Sequence, residues 1–479
     1  ERKAPFRHVF TYGTLMAEDG SAMHKSSGNM IEFNEAADTI GVDVMRWLYA
    51  GTRPEKDLAF GYHRADEVRR QFLIPLWNVY AFFVTYANLD GWKPRRGRPA
   101  APSLLDRWIM ARLNETTGEV TARLEAYEPN LAVAALDVLL DDLSNWYLRR
   151  SRRRFWAKAG ASRATDADKE AAYATLYQVL TTLTRLLAPF VPFVTEVMHQ
   201  NLVRTVDERA PESVHHGDWP KVDRQGLDAS LTREMALVLK LVSLGHAARS
   251  KSNRKVRQPL AEVAFSLGNA NERKAVETYA DLFTDELNVK QVRSLGSAGE
   301  VVSYSLKPLP KQLGQKYKAL FPRVSAAVLA LDPEATARTL MAGEAITVEV
   351  DGQRLEVQPG DVEVRADARA GLVVASEGAY LAALKTDLTP ELVREGLARE
   401  GSTSQSGPPD SLHPRDSIPI HTAPTIPGKY ILVQDQLLLD ILATNAWKRP
   451  ICFAVTVSPQ NMAWLAPYCR LEGLHWRVV

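Results

Sequence analysis

Apolar residues recur at helical spacing through the middle of the chain. Within residues 131–150 they follow i, i+3, i+4, i+7, and Tyr147 extends the stripe of Leu136, Leu139, Leu140 and Leu143. Three further helices are predicted over residues 104–124 (with Ser103 as the N-cap), 169–189 and 233–250. Successive amphipathic helices bury their apolar faces against one another, so residues 103–265 predict a helix bundle.

The first hundred residues predict shorter elements. Residues 9–14 predict a buried strand, residues 34–49 one helix, and residues 66–85 a longer helix that Pro75 should kink. The helix at 34–49 has its apolar positions at Ala37, Ile40, Val44, Trp47 and Leu48. Residues 91–102 are basic and rich in proline and glycine, which predicts a linker.

Alternation replaces helical spacing in the last third of the chain. Residues 346–350 and 354–357 alternate around Asp351-Gly352, which predicts a hairpin, and residues 361–365 and 372–375 predict further strands. Residues 270–400 therefore predict a small α+β domain. Residues 401–428 are rich in Gly, Ser and Pro and predict a disordered linker. The tail predicts a helix at 437–443 and a strand at 451–457.

Composition narrows the class of protein. The chain has 479 residues, a net charge of +2 and two cysteines, Cys452 and Cys469, which we expect to be free thiols. The first 451 residues therefore cannot hold a cysteine-ligated zinc, and the scarcity of cysteine suits a reducing cytoplasm. We expect no signal peptide and no apolar run long enough to span a membrane. Because the sequence opens at Glu1 without a methionine, we expect a cut end.

Residues 18–29, EDGSAMHKSSGN, form a short segment rich in Gly and Ser with one lysine. Small residues let backbone N–H groups approach an anion, and Lys25, Ser26 and Ser27 would add a charge and two hydroxyls. Because a predicted helix follows, its N-terminus would favour phosphate as well. The alternative is an ordinary solvated turn, since most loops of this composition are.

A dense basic run lies at the end of the strongest predicted helix. Its five arginines stand beside aromatic residues, which suits phosphate contact and base stacking: Trp146, Arg149, Arg150, Arg152, Arg153, Arg154. The alternative is structural. Cations also complement the dipole at a helix C-terminus, and Asp141 and Asp142 would be their ion-pair partners.

The loop resembles the signature loop of class I aminoacyl-tRNA synthetases, Lys-Met-Ser-Lys-Ser. The segments that carry the resemblance to the isoleucyl-tRNA synthetase family are Met23-His24-Lys25-Ser26, Gly28-Asn29, Ala4-Pro5-Phe6, Gly41-Val42-Asp43 and Arg46-Trp47-Leu48. The resemblance implies that Met23, Lys25 and Ser26 bind ATP, with Mg²⁺. Ala22 and His24 depart from the family pattern, so one of its two phosphate-binding lysines is missing.

The bundle resembles the anticodon-binding domain of the same family. The matching segments are Leu105-Asp106-Arg107-Trp108, the arginine run, and Lys255-Val256-Arg257-Gln258-Pro259-Leu260. The resemblance implies contact with tRNA(Ile) by Trp146, the five arginines, Lys255 and Arg257. Residues 285–290 and 307–317 resemble the C-terminal domain of the form that lacks a zinc finger, where Lys307, Lys311, Lys316 and Lys318 are further candidates for phosphate contact.

The predicted fold is mainly α. It consists of the end of a class I catalytic domain with its signature loop (residues 1–90), a linker (91–102), an anticodon-binding helix bundle (103–265), an α+β domain (270–400), a disordered linker (401–428) and a short α/β tail (429–479). The tail resembles the C-terminal end of an unrelated bacterial family of multi-pass membrane proteins, through Trp447-Lys448-Arg449-Pro450-Ile451 and Leu471-Glu472-Gly473-Leu474.

The second class I motif, His-x-Gly-His, does not occur in the sequence. We therefore expect the amino-acid pocket and the editing domain to lie upstream of residue 1, and ATP and isoleucine to bind only with that missing half. Three hypotheses follow: the C-terminal portion of an isoleucine–tRNA ligase that is inactive alone, a tRNA-binding module without catalysis, or a non-functional fusion fragment. We expect the chain to be cytoplasmic, without zinc and without a membrane partner.

Overall fold

The structure is a computed structural model that describes residues 9–95, 97, 102–158, 160, 162–405, 430–432 and 452–454. The chain divides into two compact units, residues 1–235 and 236–479. Most described residues are helical, as the sequence predicts. The predicted linker at 91–102 lies partly outside the described residues.

The first unit is built almost entirely from helices. Its elements are β1 (Leu15–Ala17), α1 (Phe33–Ile40), α2 (Val42–Ala50), β2 (Leu58–Phe60), α3 (Tyr62–Val68), α4 (Ile74–Leu89), α5 (Leu104–Glu125), α6 (Pro129–Asp141), α7 (Arg149–Trp156), α8 (Arg163–Leu187), α9 (Pro192–His199) and the start of α10 (Ala229–Lys251). Three π-helical segments join or extend helices, at Arg69–Leu73, Asp142–Leu148 and Gln200–Arg204.

The strand predicted at residues 9–14 is wrong. Val9, Phe10 and Tyr12 are exposed, and the strand begins later, at Leu15. β1 pairs in parallel with β2, and the pairing starts where Leu15 meets Leu58. The apolar run before β1 has no strand beside it among the described residues, so burial does not organise it as a strand.

The single helix predicted at residues 34–49 is two helices. Gly41 separates α1 from α2 and has φ 91°, a conformation that an L-residue avoids and glycine adopts freely. The predicted apolar face is otherwise confirmed, because Ile40, Val44, Trp47 and Leu48 are buried. Both helices still contribute to one core.

The helix predicted around Pro75 is one continuous run, Tyr62–Leu89. A π-helical segment lies directly before Pro75, which stands in the first turn of α4 and has no N–H to donate. By length and composition this run is apolar enough to cross a membrane, so the expectation that no such run exists is wrong. Its Leu76 and Val79 are fully buried, and the Phe83 ring packs on Tyr173 of α8. These contacts are those of a core helix.

The predicted bundle helices are confirmed. Ser103 caps α5 through a reciprocal pair of hydrogen bonds with Asp106. The helix predicted at 131–150 runs from α6 through the π segment into α7, and its stripe is buried: Leu136, Leu139, Leu140, Leu143 and Tyr147. α5 packs on α6 and α8, and α7 packs on α8.

The second unit combines small sheets with helices. Its elements, after the end of α10, are β3 (Leu260–Ser266), α11 (Ala270–Thr278), α12 (Ala280–Leu287), β4 (Val289–Ser294), β5 (Val302–Pro308), α13 (Pro310–Tyr317), α14 (Phe321–Leu329), α15 (Pro333–Met341), β6 (Ile346–Val350), β7 (Gln353–Val357), β8 (Val362–Ala368), β9 (Leu372–Glu377), β10 (Tyr380–Lys385) and α16 (Pro390–Gln405). The largest sheet has the order β4-β3-β10-β9.

The hairpin predicted around Asp351-Gly352 is confirmed. β6 and β7 pair antiparallel, and both turn residues have positive φ, 55° and 74°. The strands predicted at 361–365 and 372–375 correspond to β8 and β9. One core of this unit gathers residues from β5 to β8 and from the three helices between them, including Leu313, Val324 and Val357.

The predicted disordered linker begins within a helix, because α16 continues to Gln405. Its remainder, residues 406–428, lies outside the described residues, as do the helix predicted at 437–443 and Cys469. Two short segments of the tail are described, and they pair in parallel: β11 (Tyr430–Leu432) with β12 (Cys452–Ala454). The strand predicted at 451–457 is thus confirmed in its described part.

Candidate functional site

The loop at residues 18–29 is held closed by its own polar groups. The side chain of Asn29 bonds to three residues across the loop. Its oxygen accepts from the His24 N–H at 3.0 Å, and its amide donates to the Ala22 carbonyl at 3.0 Å and to Ser21 Oγ at 3.1 Å. Asp19 accepts from the backbone N–H and the hydroxyl of Ser21. In the sequence Asn29 is one residue of the family-like motif, and in the structure its side chain organises the loop.

Met23, Lys25 and Ser26 lie on two sides of this loop. Met23 is half-buried and packs on the small core that α1, α2 and β2 form, so it anchors the loop. Lys25 and Ser26 begin a single 3₁₀ turn that Gly28 closes with φ 69°, and both side chains are exposed. The turn therefore presents one ammonium and two hydroxyls, those of Ser26 and Ser27, to solvent, an arrangement suited to an anion.

The helix that follows the loop does not add its dipole to this site. The Glu32 carboxylate caps α1 and accepts from the backbone N–H groups of Asn34, at 2.7 Å, and Glu35, at 3.1 Å. An anion at the N-terminus of α1 would meet this charge first. The expected contribution of that helix N-terminus to phosphate binding is therefore wrong.

α2 joins the segment that carries the loop to the bundle. Arg46 donates to the carbonyls of Pro189, at 2.7 Å, and Phe190, at 2.9 Å, where α8 has just ended. One turn earlier, the Asp43 carboxylate accepts from the N–H of Val194 at 2.7 Å, at the start of α9. Burial raises the pKa of Asp43 above its ordinary value, although the N–H groups of Val194 and Phe193 that donate to the carboxylate oppose this shift. Asp43 and Arg46 thus hold α2 against the end of α8 and the start of α9.

The arginines of α7 divide by the helix face on which they stand. Ser151 and Phe155 are buried and mark the inward face. Arg149 and Arg153 are exposed on the outer face, one turn or about 6 Å apart along the axis. Arg150 and Arg152 are half-buried between the two faces. Four of the five predicted arginines therefore reach the surface at least in part.

Trp146 lies beneath these arginines. Its side chain is 5% exposed, so it cannot stack on a base as the sequence analysis expected of it. The guanidinium groups of Arg149 and Arg150 lie over its ring, 5.9 and 5.2 Å from the centroid. Trp146 supports two cations from below by cation–π contact.

Arg154 points inward and is not available to an external phosphate. Its Nη1 and Nη2 donate to both oxygens of Asp106 at 2.8 and 2.7 Å, and its Nε lies 3.0 Å from both oxygens of Asp168. Tyr147 donates to the same Asp106 at 2.7 Å. The prediction that Arg154 contacts tRNA is therefore wrong. This arginine holds α5, α7 and α8 together.

The electrostatics of this buried group favour its charged form. Burial raises the pKa of Asp106, but the hydrogen bonds and charge of Arg154 outweigh it and hold that pKa below its ordinary value. The predicted pairing of the arginines with Asp141 and Asp142 is wrong. Asp142 pairs instead with Arg112 of α5, at 2.9 Å, and Asp141 accepts from Asn145.

Lys255 and Arg257 stand in an exposed turn of the second unit, at the end of α10. Beside this turn the side chain of Arg249, which is 2% exposed, reaches five backbone carbonyls. Arg249 is not among the residues predicted from the sequence. It falls on the inward stripe of α10 that Met235, Val238 and Val242 begin, and that periodicity is the signal which marks it.

Two of the four candidate phosphate contacts in the α+β domain, Lys307 and Lys316, pair with acidic side chains of the same unit. Lys316 donates to the Glu356 carbonyl at 2.8 Å and pairs with Asp361 at 3.2 Å, and Lys307 pairs with Glu363. Among the described residues, no cluster of three or more His, Cys, Asp or Glu side chains suits a metal ion.

Three family models match the chain. The class I tRNA synthetases for isoleucine, leucine, methionine and valine match residues 1–61, and the anticodon-binding domain of tRNA ligases matches residues 106–265. The TMEM260-associated domain 2 matches residues 411–479. The first two matches contain the loop with Lys25 and the helices with the arginine run. Lys255 and Arg257 fall at the end of the second match.

The similar proteins agree with these models. Isoleucine–tRNA ligases of Thermus thermophilus, Thermobifida fusca and Deinococcus radiodurans are 42%, 40% and 39% identical over 400, 405 and 401 residues. These alignments cover 82–83% of this chain but 36–38% of the relatives, so the chain spans little more than a third of their length. Among solved structures, a LeuRS–tRNA–LeuAMS complex of Agrobacterium radiobacter and the methionyl-tRNA synthetase of Mycobacterium tuberculosis both match at a TM-score of 0.35 and 18% identity; they cover 45% and 42% of this chain and 24% and 43% of their own.

Proposed function

The chain is homologous over most of its length to isoleucine–tRNA ligases, and from this premise we propose that it is the tRNA-binding portion of such a ligase. In this proposal the bundle of the first unit binds tRNA(Ile), and the loop at 18–29 contributes one phosphate contact to ATP-dependent aminoacylation. The sequence lacks a His-x-Gly-His motif, so we propose that ligation requires a polypeptide that carries it. The cytoplasm is the proposed compartment.

The exposed arginines of α7 are the observation that carries RNA binding. Arg149 and Arg153 project from the outer face, and Arg150 is held against Trp146. Among the described residues, Arg153 has no ion-pair partner that an RNA phosphate would need to displace. Phosphate contacts of this kind supply affinity and position, because each one releases a counterion from the RNA.

The buried group beneath α7 gives this surface a fixed shape. Arg154 joins three helices through Asp106 and Asp168, so the outer arginines stand on a helix that cannot rotate without breaking charged hydrogen bonds. A prepositioned surface loses less conformational entropy when it binds, and this favours affinity. In our proposal Arg154 does not bind RNA itself; it fixes the helix that carries Arg149 and Arg153.

For the nucleotide, we propose that Lys25 and Ser26 bind phosphate oxygens of ATP. The ordered 3₁₀ turn presents both side chains outward, and the anchor at Met23 fixes the turn on the core. Bound ATP would supply the activated phosphate for amino-acid activation. Mg²⁺ would arrive with the nucleotide, since it commonly binds through phosphates and waters and needs no protein cage.

The experiment that tests the main proposal is competition binding. The full chain should retain labelled tRNA(Ile) on a filter, and unlabelled tRNA(Ile) should displace it more effectively than an unrelated tRNA of the same length. Equal displacement by both tRNAs would reduce the proposal to nonspecific affinity for RNA. Absence of retention at low salt would contradict it.

A binding module without catalysis is the second candidate, and Ala22 and His24 favour it. They stand where the family loop has its first lysine and first serine, so the chain offers one lysine to the phosphates. Isoleucine-dependent exchange between ATP and pyrophosphate separates the candidates. We expect no exchange by the chain alone. If the chain contributes its loop to a ligase, exchange should appear when a polypeptide with the His-x-Gly-His half is added, and Lys25→Ala should reduce it.

A further inference from the structure

α8 is a long helix without an internal break. It runs for 25 residues, from Arg163 to Leu187, and contains neither glycine nor proline, so it lacks the residues that most often kink a helix. Its inward stripe, which includes Tyr173 and Leu180, is buried, and α4, α5 and α7 pack against it. Because the helix is held on several sides, the positions of its two ends are fixed relative to each other.

The first turns of α8 are bonded to the helix that carries the outer arginines. Both carboxylate oxygens of Asp168 lie 3.0 Å from Nε of Arg154, and the Asp168 carbonyl accepts from Nη2 of the same arginine at 3.1 Å. The next residue, Lys169, donates to the Ala157 carbonyl at 2.9 Å, where α7 has just ended. Any movement of α7 relative to this end of α8 would break hydrogen bonds made by charged groups.

The other end of α8 is held by α2, through side chains of opposite charge. Arg46 donates to two carbonyls that follow α8, where the helix dipole is negative. Asp43, which is 9% exposed, accepts from two N–H groups at the start of α9, where the dipole is positive. α2 also belongs to the small core on which Met23 anchors the loop. The segment that carries Lys25 is therefore attached to the C-terminal end of α8.

These two attachments lie far apart along one helix. At the usual helical rise, α8 extends for about 28 Å between Asp168 and Leu187. We infer that α8 is a spacer that sets the distance between the arginines of α7 and the loop at 18–29, and that Asp43 and Arg46 are the positioning residues at its loop end. This inference rests on the proposed function, because a tRNA bound to the bundle must also reach the site to which the loop contributes.

The variants separate position from fold. Arg46→Ala removes the donors to both carbonyls at an exposed position, and Asp43→Ala/Arg46→Ala releases α9 as well. Arg46→Lys keeps the charge on a flexible stem and replaces the planar group with a single ammonium, so it should restore part of the attachment. Arg53→Ala/Glu55→Ala is the matched control, because it removes one exposed cation and one exposed acid from the same segment.

The position of the loop segment can be measured on the full-length chain. Spin labels are placed at Asp38→Cys on α1 and Arg153→Cys on α7, both exposed, after Cys452→Ser/Cys469→Ser has removed the native thiols. Pulsed electron double resonance should give one narrow distance distribution for the parent and for the control. Arg46→Ala should broaden it and shift its mean by about 1 Å or more, with Arg46→Lys between the two. Circular dichroism checks that each sample is folded. The same distribution in every variant would overturn the inference.

A kinetic readout separates spacing from binding and from activation. The unlabelled variants are combined with a polypeptide that carries the His-x-Gly-His half. Exchange between ATP and pyrophosphate requires no tRNA, whereas attachment of isoleucine to tRNA(Ile) requires the loop and the bundle at the correct distance. Arg46→Ala should therefore lower kcat for attachment about tenfold to a hundredfold. It should leave the exchange rate and the affinity for tRNA(Ile) unchanged, as the control variant should in all three assays.

Each contrary outcome has a distinct meaning. If wild type does not bind tRNA(Ile), or gives no exchange with the added half, the proposed function fails in that part, and the spin-label distances still decide whether α8 is a spacer. If wild type is active and Arg46→Ala lowers exchange as much as attachment, Arg46 acts on the loop alone. An equal loss of affinity for tRNA(Ile) would mean that it serves the bundle alone. Either result overturns the inference and leaves the proposed function standing.

Discussion

The arginine run of α7 and the basic turn at residues 251–257 each stand beside one buried arginine, but the two buried guanidinium groups meet different acceptors. Arg154 is paired with the carboxylates of Asp106 and Asp168, which come from two other helices. Arg249 meets five backbone carbonyls and no carboxylate among the described residues. The first arginine neutralises buried charge, and the second fixes the path of the backbone.

This difference shows how a basic segment is divided between folding and binding. In α7 the buried cation is a member of the run, so counting arginines overstates the charge at the surface by one. In the turn, the buried cation precedes the exposed ones and shapes the chain that carries them. Charge density predicts neither arrangement, because the acceptors are distant in sequence.

The largest expected effect comes from Arg154. Arg154→Met leaves the fully buried Asp106 without its cation, which should lower the free energy of unfolding of the first unit by about 3–5 kcal/mol. Urea denaturation followed by tryptophan fluorescence measures the change. Arg153→Met is the matched control on the exposed face and should cost less than about 0.5 kcal/mol. Equal costs would contradict the division of α7 into two faces.

Arg249→Met should have a smaller effect, and in the other unit. The substitution leaves carbonyls without donors but no buried carboxylate, so we expect a loss of about 1–3 kcal/mol. Hydrogen exchange followed by mass spectrometry locates it: protection should fall in β3, β4 and the turn, while the bundle helices keep theirs. A loss as large as that of Arg154→Met would mean that the acceptor type does not matter.

The pH dependence sharpens the same comparison. The folded-state pKa of Asp106 lies below its ordinary value, so its contribution to stability is present above pH 4 and is lost as the pH falls through that pKa. In Arg154→Met, burial raises the pKa of Asp106 and only the hydrogen bonds from Tyr147 and the Ser103 N–H oppose it, so protonation relieves the charge that has lost its cation. The difference in unfolding free energy between wild type and Arg154→Met should therefore shrink from pH 7 to pH 4. The penalty of Arg249→Met should stay constant over that range.

The smallest effect on stability is expected at the outer arginines. Arg149→Gln/Arg153→Gln removes two exposed charges and the contact of Arg149 with the Trp146 ring, so it should lower the free energy of unfolding by about 0.5–1 kcal/mol in all. The same urea titration measures it. A loss above about 2 kcal/mol would show that these residues serve the fold and would remove the support for a surface role.

The sequence predicted the bundle well because its signals are local. The leucine stripe, the Ser103 cap and the Asp351-Gly352 turn depend on neighbours within one or two turns, and all three are confirmed. The break at Gly41 was missed because the apolar spacing continues across it, although the glycine itself was visible. The strand at 9–14 was wrong because its apolar residues have no partner strand among the described residues.

The inward position of Arg154 could be predicted from the sequence, but its partners could not. The stripe that includes Leu140 and Tyr147 continues by seven residues to Arg154, so its periodicity already favours an inward position for this arginine. Its partner Asp168 and the distance to Asp106 follow only from how the helices pack. Similarly, the hydrogen bonds of Asn29 across its loop and those of Arg249 to backbone carbonyls depend on backbone geometry that composition does not encode.

The account depends most directly on whether the outer arginines of α7 bind RNA phosphates. The decisive measurement is the slope of log K against log salt for binding of the full chain to tRNA(Ile), compared between wild type and Arg149→Gln/Arg153→Gln. The matched control is Arg53→Gln/Arg233→Gln, two exposed cations elsewhere in the first unit. We predict a slope shallower by about 1.4–1.8 for the α7 pair and an unchanged slope for the control. Identical slopes for all three proteins would contradict the account.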